Sequence, residues 1–254
     1  MNQNWDSKKY SEGFSFVYEY GSDVLNLIQP EGVLSAIDLG CGTGTLTKAL
    51  KDKGFNVRGL DASEEMLAKA RANFPDINFS HADAANFVLS EPVDLIFSNA
   101  VLHWIDKSRQ SSMMKCVYDA LRAGGQFVFE MGGFGCCRLI HEKLAERFNV
   151  HGYSYTMPFY FPSIGEYSSL LEKAGFTVRY AILFDRPTQL KGDNGLYDWI
   201  NMFVTIPFSG VNKSDREDIL HESVDSLRDK LFDHESGLWF ADYVRLRVRA
   251  VKEN

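Results

Sequence analysis

Asp38, Gly40, Gly42 and Gly44 stand in the run Asp38-Leu39-Gly40-Cys41-Gly42-Thr43-Gly44. Glycines at alternate positions can take positive φ and let a ligand lie against the backbone. An apolar stretch, residues 33–37, precedes the run, and a helical pattern, Leu46 to Leu50, follows it. Strand, glycine turn and helix in that order make the nucleotide-binding corner of a doubly wound α/β sheet. The spacing is Asp-x-Gly-x-Gly-x-Gly, not the G-x-G-x-x-G that brings a pyrophosphate to a helix N-terminus. It points away from a nicotinamide dinucleotide and towards S-adenosylmethionine (SAM), which presents a sulfonium, an aminocarboxylate, a ribose diol and an adenine. Cys41, inside the turn, reads as a small residue and not as a nucleophile.

The surrounding elements must position further polar groups around that turn. A second apolar run, Asn56 to Leu60, ends in Asp61, at the place where doubly wound folds carry a ribose-binding carboxylate. Ala62 follows it, Ser63 reads as an N-cap, and Glu64, Glu65 and Met66 open the next helix. A third strand, Ile77 to Ser80, leads to Ala82-Asp83-Ala84. Asp83 can accept from an adenine amino group or close an Asx turn. A fourth, Val93 to Phe97, runs into Ser98-Asn99-Ala100-Val101-Leu102-His103-Trp104. Ligands sit beyond the carboxyl ends of such strands, so this segment is expected to face the cofactor. A fifth, Gln126 to Met131, follows a helix whose glycine stop signal is Ala123-Gly124-Gly125. Strand–helix repeats of this kind predict a parallel sheet.

His103 titrates near neutrality and is the candidate general base for a phenol, amine or carbon acceptor. An ionised carboxylate acceptor needs no base, and a packing histidine is the competing reading. Trp104 is expected to shape the acceptor pocket. A carboxylate acceptor calls for an arginine clamp, for which Arg138, Arg186 and Arg245 are the candidates. Arg245, Arg247 and Arg249 at period two equally suit the solvated face of a strand. Tyr153, Tyr155, Phe159, Tyr160 and Phe161 can line an apolar pocket or fill a cap core. The histidines and cysteines show no ligand spacing, so no metal site is expected.

On these motifs residues 33–131 resemble the class I SAM-dependent methyltransferases. Asn99-Ala-Val-Leu-His103-Trp104 is similar to the Asn-Ala-x-Leu-Gln-Trp segment of the trans-aconitate methyltransferase group, with His103 in place of the glutamine. The resemblance implies a SAM-dependent methyltransferase acting on a small molecule, with O-methylation of a carboxylic acid as one form. The alternatives are a non-catalytic SAM-binding module and an enzyme acting on a carrier-protein-bound acyl group. It also implies that Asp38, Gly40, Cys41, Gly42 and Gly44 contact the methionine part and ribose. Asp61, with Ala62 and Met66 beside it, serves the ribose diol; Asp83 and Ala84 sit beside the adenine, and Asn99 lines the site. The implied fold is a Rossmann-like doubly wound, seven-stranded α/β sheet, mostly parallel, with an antiparallel last strand beside the sixth.

The 254 residues are 45% hydrophobic and carry a net charge of −7, which leaves no broad basic field for nucleic acid. No apolar run reaches membrane-spanning length, and the N-terminus is polar, so a cytoplasmic protein with reduced thiols is expected. One methyltransferase domain is expected over 1–254. Residues 31–131 make its core, 1–30 a helical lid that includes Tyr10 to Ile28, and 132–160 with 187–236 the cap insertions. Residues 161–186 and 237–254 complete the sheet. Within these, helices are expected over Gly135 to Val150, Ser163 to Lys173, Asn194 to Phe208 and Lys213 to Phe232. Strands are expected over Phe176 to Phe184 and Trp239 to Val251.

Overall fold

The computed structural model describes residues 23–29, 32 and 34–253. Strands β1 (Ser35–Leu39), β2 (Asn56–Asp61), β3 (Asn78–His81), β4 (Val93–Asn99) and β5 (Leu121–Gly132) alternate with helices α1 (Thr45–Asp52), α2 (Glu64–Asn73) and α3 (Gln110–Ala120). After β5 come α4 (Arg138–Val150), α5 (Ile164–Lys173), β6 (Phe176–Asp185), β7 (Thr188–Leu190), α6 (Gly195–Phe203) and α7 (Lys213–Leu231). Three strands close the chain: β8 (Phe232–Asp233), β9 (Leu238–Ala241) and β10 (Val244–Lys252). The large sheet has seven strands in the order β3-β2-β1-β4-β5-β10-β6. Strands β1 to β5 pair in parallel, and β10 runs antiparallel between β5 and β6. This is the expected Rossmann-like α/β fold.

Alternation along the strands divides the core between two faces of the sheet. Ile37, Ile96, Phe127 and Phe129 point to one side, against Met113 and Val117 of α3 and Tyr167 and Leu171 of α5. Ala36, Leu95, Phe97 and Val128 point to the other, against Leu46 and Leu50 of α1. The central strands are buried on both faces, which is why they read as continuous apolar runs. A further apolar cluster joins α4, α6, α7 and β9 through Leu144, Phe148, Trp199, Ile219 and Trp239. It forms a cap that also contains a three-stranded sheet, β7-β9-β8.

Several expected boundaries move, each for a local reason. The strand read from Trp239 to Val251 is two strands. The Asp242 carboxylate accepts the Leu139 N–H at 2.8 Å, and its carbonyl accepts the Cys137 N–H at 2.8 Å. Asp242 thus serves the N-terminus of α4, and the chain breaks pairing there. Helix α4 begins at Arg138 and not Gly135, because Cys137 is left-handed at φ 53°. Helix α3 ends at Ala120; the Ala123-Gly124-Gly125 signal falls within β5, beside a shift in its register with β4. Helix α6 stops at Phe203. Most of the helix expected over Tyr10 to Ile28 lies outside the described residues. Its described end is helical, with Asp23 and Val24 in α conformation followed by a 3₁₀ turn, Leu25–Leu27. Gln29 and Gln126 exchange hydrogen bonds of 3.1 and 2.7 Å there, at the amino end of β5's pairing with β4.

Gln110, the first residue of α3, ties the core to the turn that follows β4. Its Nε2 donates to the carbonyls of Leu102 and Ile105 at 2.9 and 2.8 Å, and its Oε1 accepts from Tyr167 Oη at 2.9 Å. Both side chains are fully buried. Tyr167→Phe leaves a buried amide oxygen unpaired and is expected to cost about 1–3 kcal/mol. Urea denaturation at constant m checks it; an unchanged midpoint would mean that another donor reaches Gln110.

Candidate functional site

The glycine turn lies at the carboxyl end of β1 and is held by β2. Gly40 and Cys41 donate their N–H groups to the Leu60 carbonyl at 2.7 and 3.0 Å. The Asp61 carboxylate accepts the Gly42 N–H at 2.8 Å through one oxygen and the Ser63 N–H at 2.8 Å through the other. A carboxylate with two such bonds keeps lone pairs for a further donor. Burial raises the Asp61 pKa against those backbone bonds. Gly42 is left-handed at φ 55°, and a Cβ built on it would meet nothing within 4 Å. At Gly40 a Cβ would strike Val101 at 2.3 Å, so the turn and the segment after β4 are in contact. An open, amide-rich loop beside a carboxylate fits the polar hydroxyls and aminocarboxylate of SAM.

Asp38 is buried under this turn, where its carboxylate accepts from Thr47 Oγ1 at 2.6 Å. Burial, opposed by that bond and reinforced by nearby Asp61, pushes its pKa up to about 7. Cys41 is buried, and burial with the two aspartates pushes its thiol far above the ordinary range, so it stays protonated. Met66 is buried in α2, and its N–H donates to the Ser63 cap at 3.3 Å. Ala62 lends its carbonyl to His81 Nε2 at 3.1 Å. Asp83 closes an Asx turn on the Ala85 N–H at 2.9 Å and accepts from Arg109 at 2.6 Å, with partly buried Ala84 between. Burial pushes Asp83 up, but Arg109 and the Ala85 N–H outweigh it and hold it below its usual range.

The chain turns sharply after Asn99. Ala100 takes φ 59°, and its N–H donates to the Glu130 carbonyl at 2.8 Å. The next residues form a 3₁₀ turn, Leu102–Trp104, which buries His103. His103 Nδ1 accepts the Gly132 N–H at 3.3 Å. Burial, with Arg245 nearby, drives the His103 pKa well below its usual value. The ring is therefore neutral with its proton on Nε2, and the nitrogen not bound to Gly132 is a donor.

His103, Trp104, Asn99 and Ala100 line one side of a cavity that opens to solvent. Phe159, Phe161, Trp199, Phe203 and Tyr243 form apolar walls, and Arg186, Arg245, Cys136 and Cys137 complete the lining. The rings of Phe159 and Phe161 stack with centroids 5.3 Å apart, and Trp104 meets Phe159 edge-on at 4.6 Å. The other three aromatics of that stretch do not line the cavity: Tyr153 bonds Asp215, Tyr155 bonds His141, and Tyr160 packs in the sheet core.

Behind the cavity lies Glu130, fully buried on β5. Its Oε1 accepts from Arg186 at 2.9 Å and Arg245 at 3.0 Å, and its Oε2 accepts from Arg247 Nε and Nη2 at 2.8 and 2.7 Å. Burial pushes Glu130 up, but the arginines prevail and hold it ionised. The period-two arginines of β10 are thus internal at Arg245 and Arg247, and not a solvated face. Arg245 is only 4% exposed. It spends Nε on Glu130, and among the described residues no acceptor takes its Nη groups. Arg245 and Arg247 together carry one more positive charge than Glu130 neutralises. Arg138 is elsewhere: it is exposed at the start of α4, 3.9 Å from Glu142. Glu130 had a signal in the sequence, a lone charge within the apolar run Phe127 to Met131. Trp199, Phe203, Tyr243 and the cysteine pair had none, because the cap brings them in from distant positions. Among the described residues, no group of three or more metal-binding side chains occurs, and no helix is long and apolar enough to cross a membrane.

Comparison with known proteins places this architecture. Residues 36–125 match a methyltransferase domain family. An uncharacterised methyltransferase of Schizosaccharomyces pombe is 32% identical over 262 residues, which cover 98% of each chain. The trans-aconitate 2-methyltransferase of Agrobacterium fabrum is 33% identical, but the match spans only 50% of each chain. A SAM-dependent methyltransferase of Mesorhizobium loti shares the fold with a TM-score of 0.53 at 21% identity, covering 91% of this chain and 96% of its own. A candidate methyltransferase of Bacillus halodurans does so with a TM-score of 0.65 at 15% identity, covering 93% and 100%.

Asp38 gives the site a pH signature. A carboxylate that titrates near 7 is half protonated at neutrality, and a cationic ligand placed beside it favours the ionised form. SAM affinity is expected to be flat above about pH 8 and to weaken below 7, by at most about tenfold per pH unit. Asp38→Asn is expected to remove that slope. Calorimetric titration between pH 5.5 and 8.5 checks it, and an equal slope in the variant would assign the proton elsewhere.

Proposed function

Because the chain belongs to the class I SAM-dependent methyltransferases, we propose that its acceptor is a small carboxylic acid, methylated on a carboxylate oxygen. The observation that carries this reading is Arg245, a buried guanidinium that lines the cavity with Nη groups to spare and is fixed from behind by Glu130. SAM supplies an electrophilic methyl group on a sulfonium when bound. In this reading the backbone of Gly40 to Gly44 carries the methionine part, and Asp61 accepts from the ribose hydroxyls. Ala84 and Asp83 would flank the adenine.

The acceptor carboxylate pairs with Arg245, with Arg186 beside it, and charge-assisted bonds of this kind fix a planar anion in orientation. Its ordinary pKa lies near 4, so it enters ionised and no proton has to be removed. His103 then acts as a donor: its Nε2–H holds the acceptor, while Gly132 locks the tautomer. Trp104, Phe159 and Phe161 exclude water from the nucleophilic oxygen and limit its approach, which is where positioning lowers the barrier. The similarity to trans-aconitate 2-methyltransferase supports an acid acceptor at the level of class.

Two variants test the reading with a panel of small mono-, di- and tricarboxylic acids. Arg245→Met is expected to raise KM for an acid acceptor about tenfold to a hundredfold, the equivalent of a lost charge-assisted bond, with SAM affinity unchanged. Unchanged KM and kcat would place the arginine outside the acceptor site. His103→Ala is expected to keep its rate within about tenfold and to show no new pKa between pH 6 and 9. A loss of about 10²–10⁴-fold, with a wild-type profile that rises through one pKa, would return His103 to the role of general base.

A further inference from the structure

Cys136 and Cys137 are adjacent in sequence, yet both line the acceptor cavity. Neighbouring side chains normally diverge; here Cys137 is left-handed at φ 53°, and the two thiols lie with Sγ atoms 3.9 Å apart. Backbone hydrogen bonds hold the pair on both sides, from the Cys136 N–H to the Gly133 carbonyl at 2.9 Å and from the Cys137 N–H to the Asp242 carbonyl at 2.8 Å. The first turn of α4 follows directly, and Arg245 lies close by. Burial pushes Cys136 up, but the hydrogen bond from its neighbour and the Arg245 charge outweigh it and bring this thiol below its ordinary range. Burial and the first sulfur hold Cys137 above that range. Positive surroundings of this kind mark reactive thiols.

The spacing decides what the pair can hold. A direct disulfide is disfavoured, since adjacent Cα atoms are about 3.8 Å apart and unstrained disulfides span about 4.4–6.8 Å. A bridging atom with sulfur bonds of about 2.3 Å, the length of a zinc–thiolate bond, spans sulfurs about 3.5–3.8 Å apart at pyramidal to tetrahedral angles. Zinc itself needs three or four protein ligands, and no such group occurs among the described residues. The suitable centre is pyramidal, thiophilic and satisfied by two thiolates, with its third substituent organic. The aromatic walls at Trp104, Phe159 and Phe161 suit an apolar or aryl substituent.

We propose that Cys136 and Cys137 form a dithiol capture site for monosubstituted trivalent arsenicals inside the acceptor cavity. Two S–H bonds break and two As–S bonds form; the arsenic oxygen leaves as water with both protons, and no oxidation state changes. The site does not depend on which acceptor the enzyme uses.

Phenylarsine oxide added in equimolar amount to the full-length protein tests this by intact mass and peptide mapping. The expected result is one adduct, equal to the reagent less one water, on the peptide that contains Cys136 and Cys137. An excess of monothiol leaves it in place and 2,3-dimercaptopropanol removes it. Cys136→Ser and Cys137→Ser each make labelling monothiol-labile, whereas Cys116→Ser retains the stable adduct. Absence of the adduct, its location on another peptide, or its removal by monothiol from the unmodified chain would overturn the proposal. Peptide mapping of the unmodified chain decides the matter even if the serine variants do not fold.

Discussion

One buried carboxylate organises the wall of the cavity and the strands behind it. Glu130 is fully enclosed on β5 and accepts from Arg245 and Arg247 on β10 and from Arg186 after β6. An ionised group without partners at that depth costs several kcal/mol, so these elements must keep their register for the charge to remain satisfied. Backbone pairing agrees: Arg247 stands opposite Glu130 and Arg245 opposite Gly132 in the β10–β5 ladder. Buried ion pairs of this kind are poor sources of stability compared with apolar packing. Their value here is positional, since they aim a guanidinium into a cavity that an apolar core would simply have filled.

The same strand end sets the other wall. Gly132 can sit against Phe161 only because it lacks a Cβ, which would lie 2.3 Å from that ring. Its N–H is thereby brought to His103 Nδ1, while the His103 carbonyl accepts the Tyr160 N–H at 3.0 Å. Gln110 fixes the turn from below. His103 is thus held by its ring, its backbone and its neighbours.

The strand ends around the glycine turn were legible in the sequence, and the walls of the cavity largely were not. Residues 38–44, 61–66, 83–84 and 99 belong to consecutive strand ends, so their spacing carries their geometry. Period-two alternation located β10, but its break at Asp242 depends on the N-terminus of α4, more than a hundred residues earlier. The histidine at 103 was visible, whereas its tautomer is decided by Gly132. Arginines were visible at period two, but whether they face water or Glu130 depends on which strand lies beside them. Long-range pairing decided each of these, and a single chain read locally does not contain it.

This asymmetry has a consequence for how the enzyme can vary. The glycine turn rests on β1 and β2, whereas the cavity rests on β5, β10, the turn after β4 and the cap. The two meet where Gly40 packs against Val101 and where Ser98 Oγ donates to the Leu39 carbonyl at 2.7 Å. Substitutions in the cap can therefore change the size and charge of the cavity without disturbing the glycine turn. What sets the shape and charge of the cavity is then to be sought in Arg245, Glu130 and the aromatic walls.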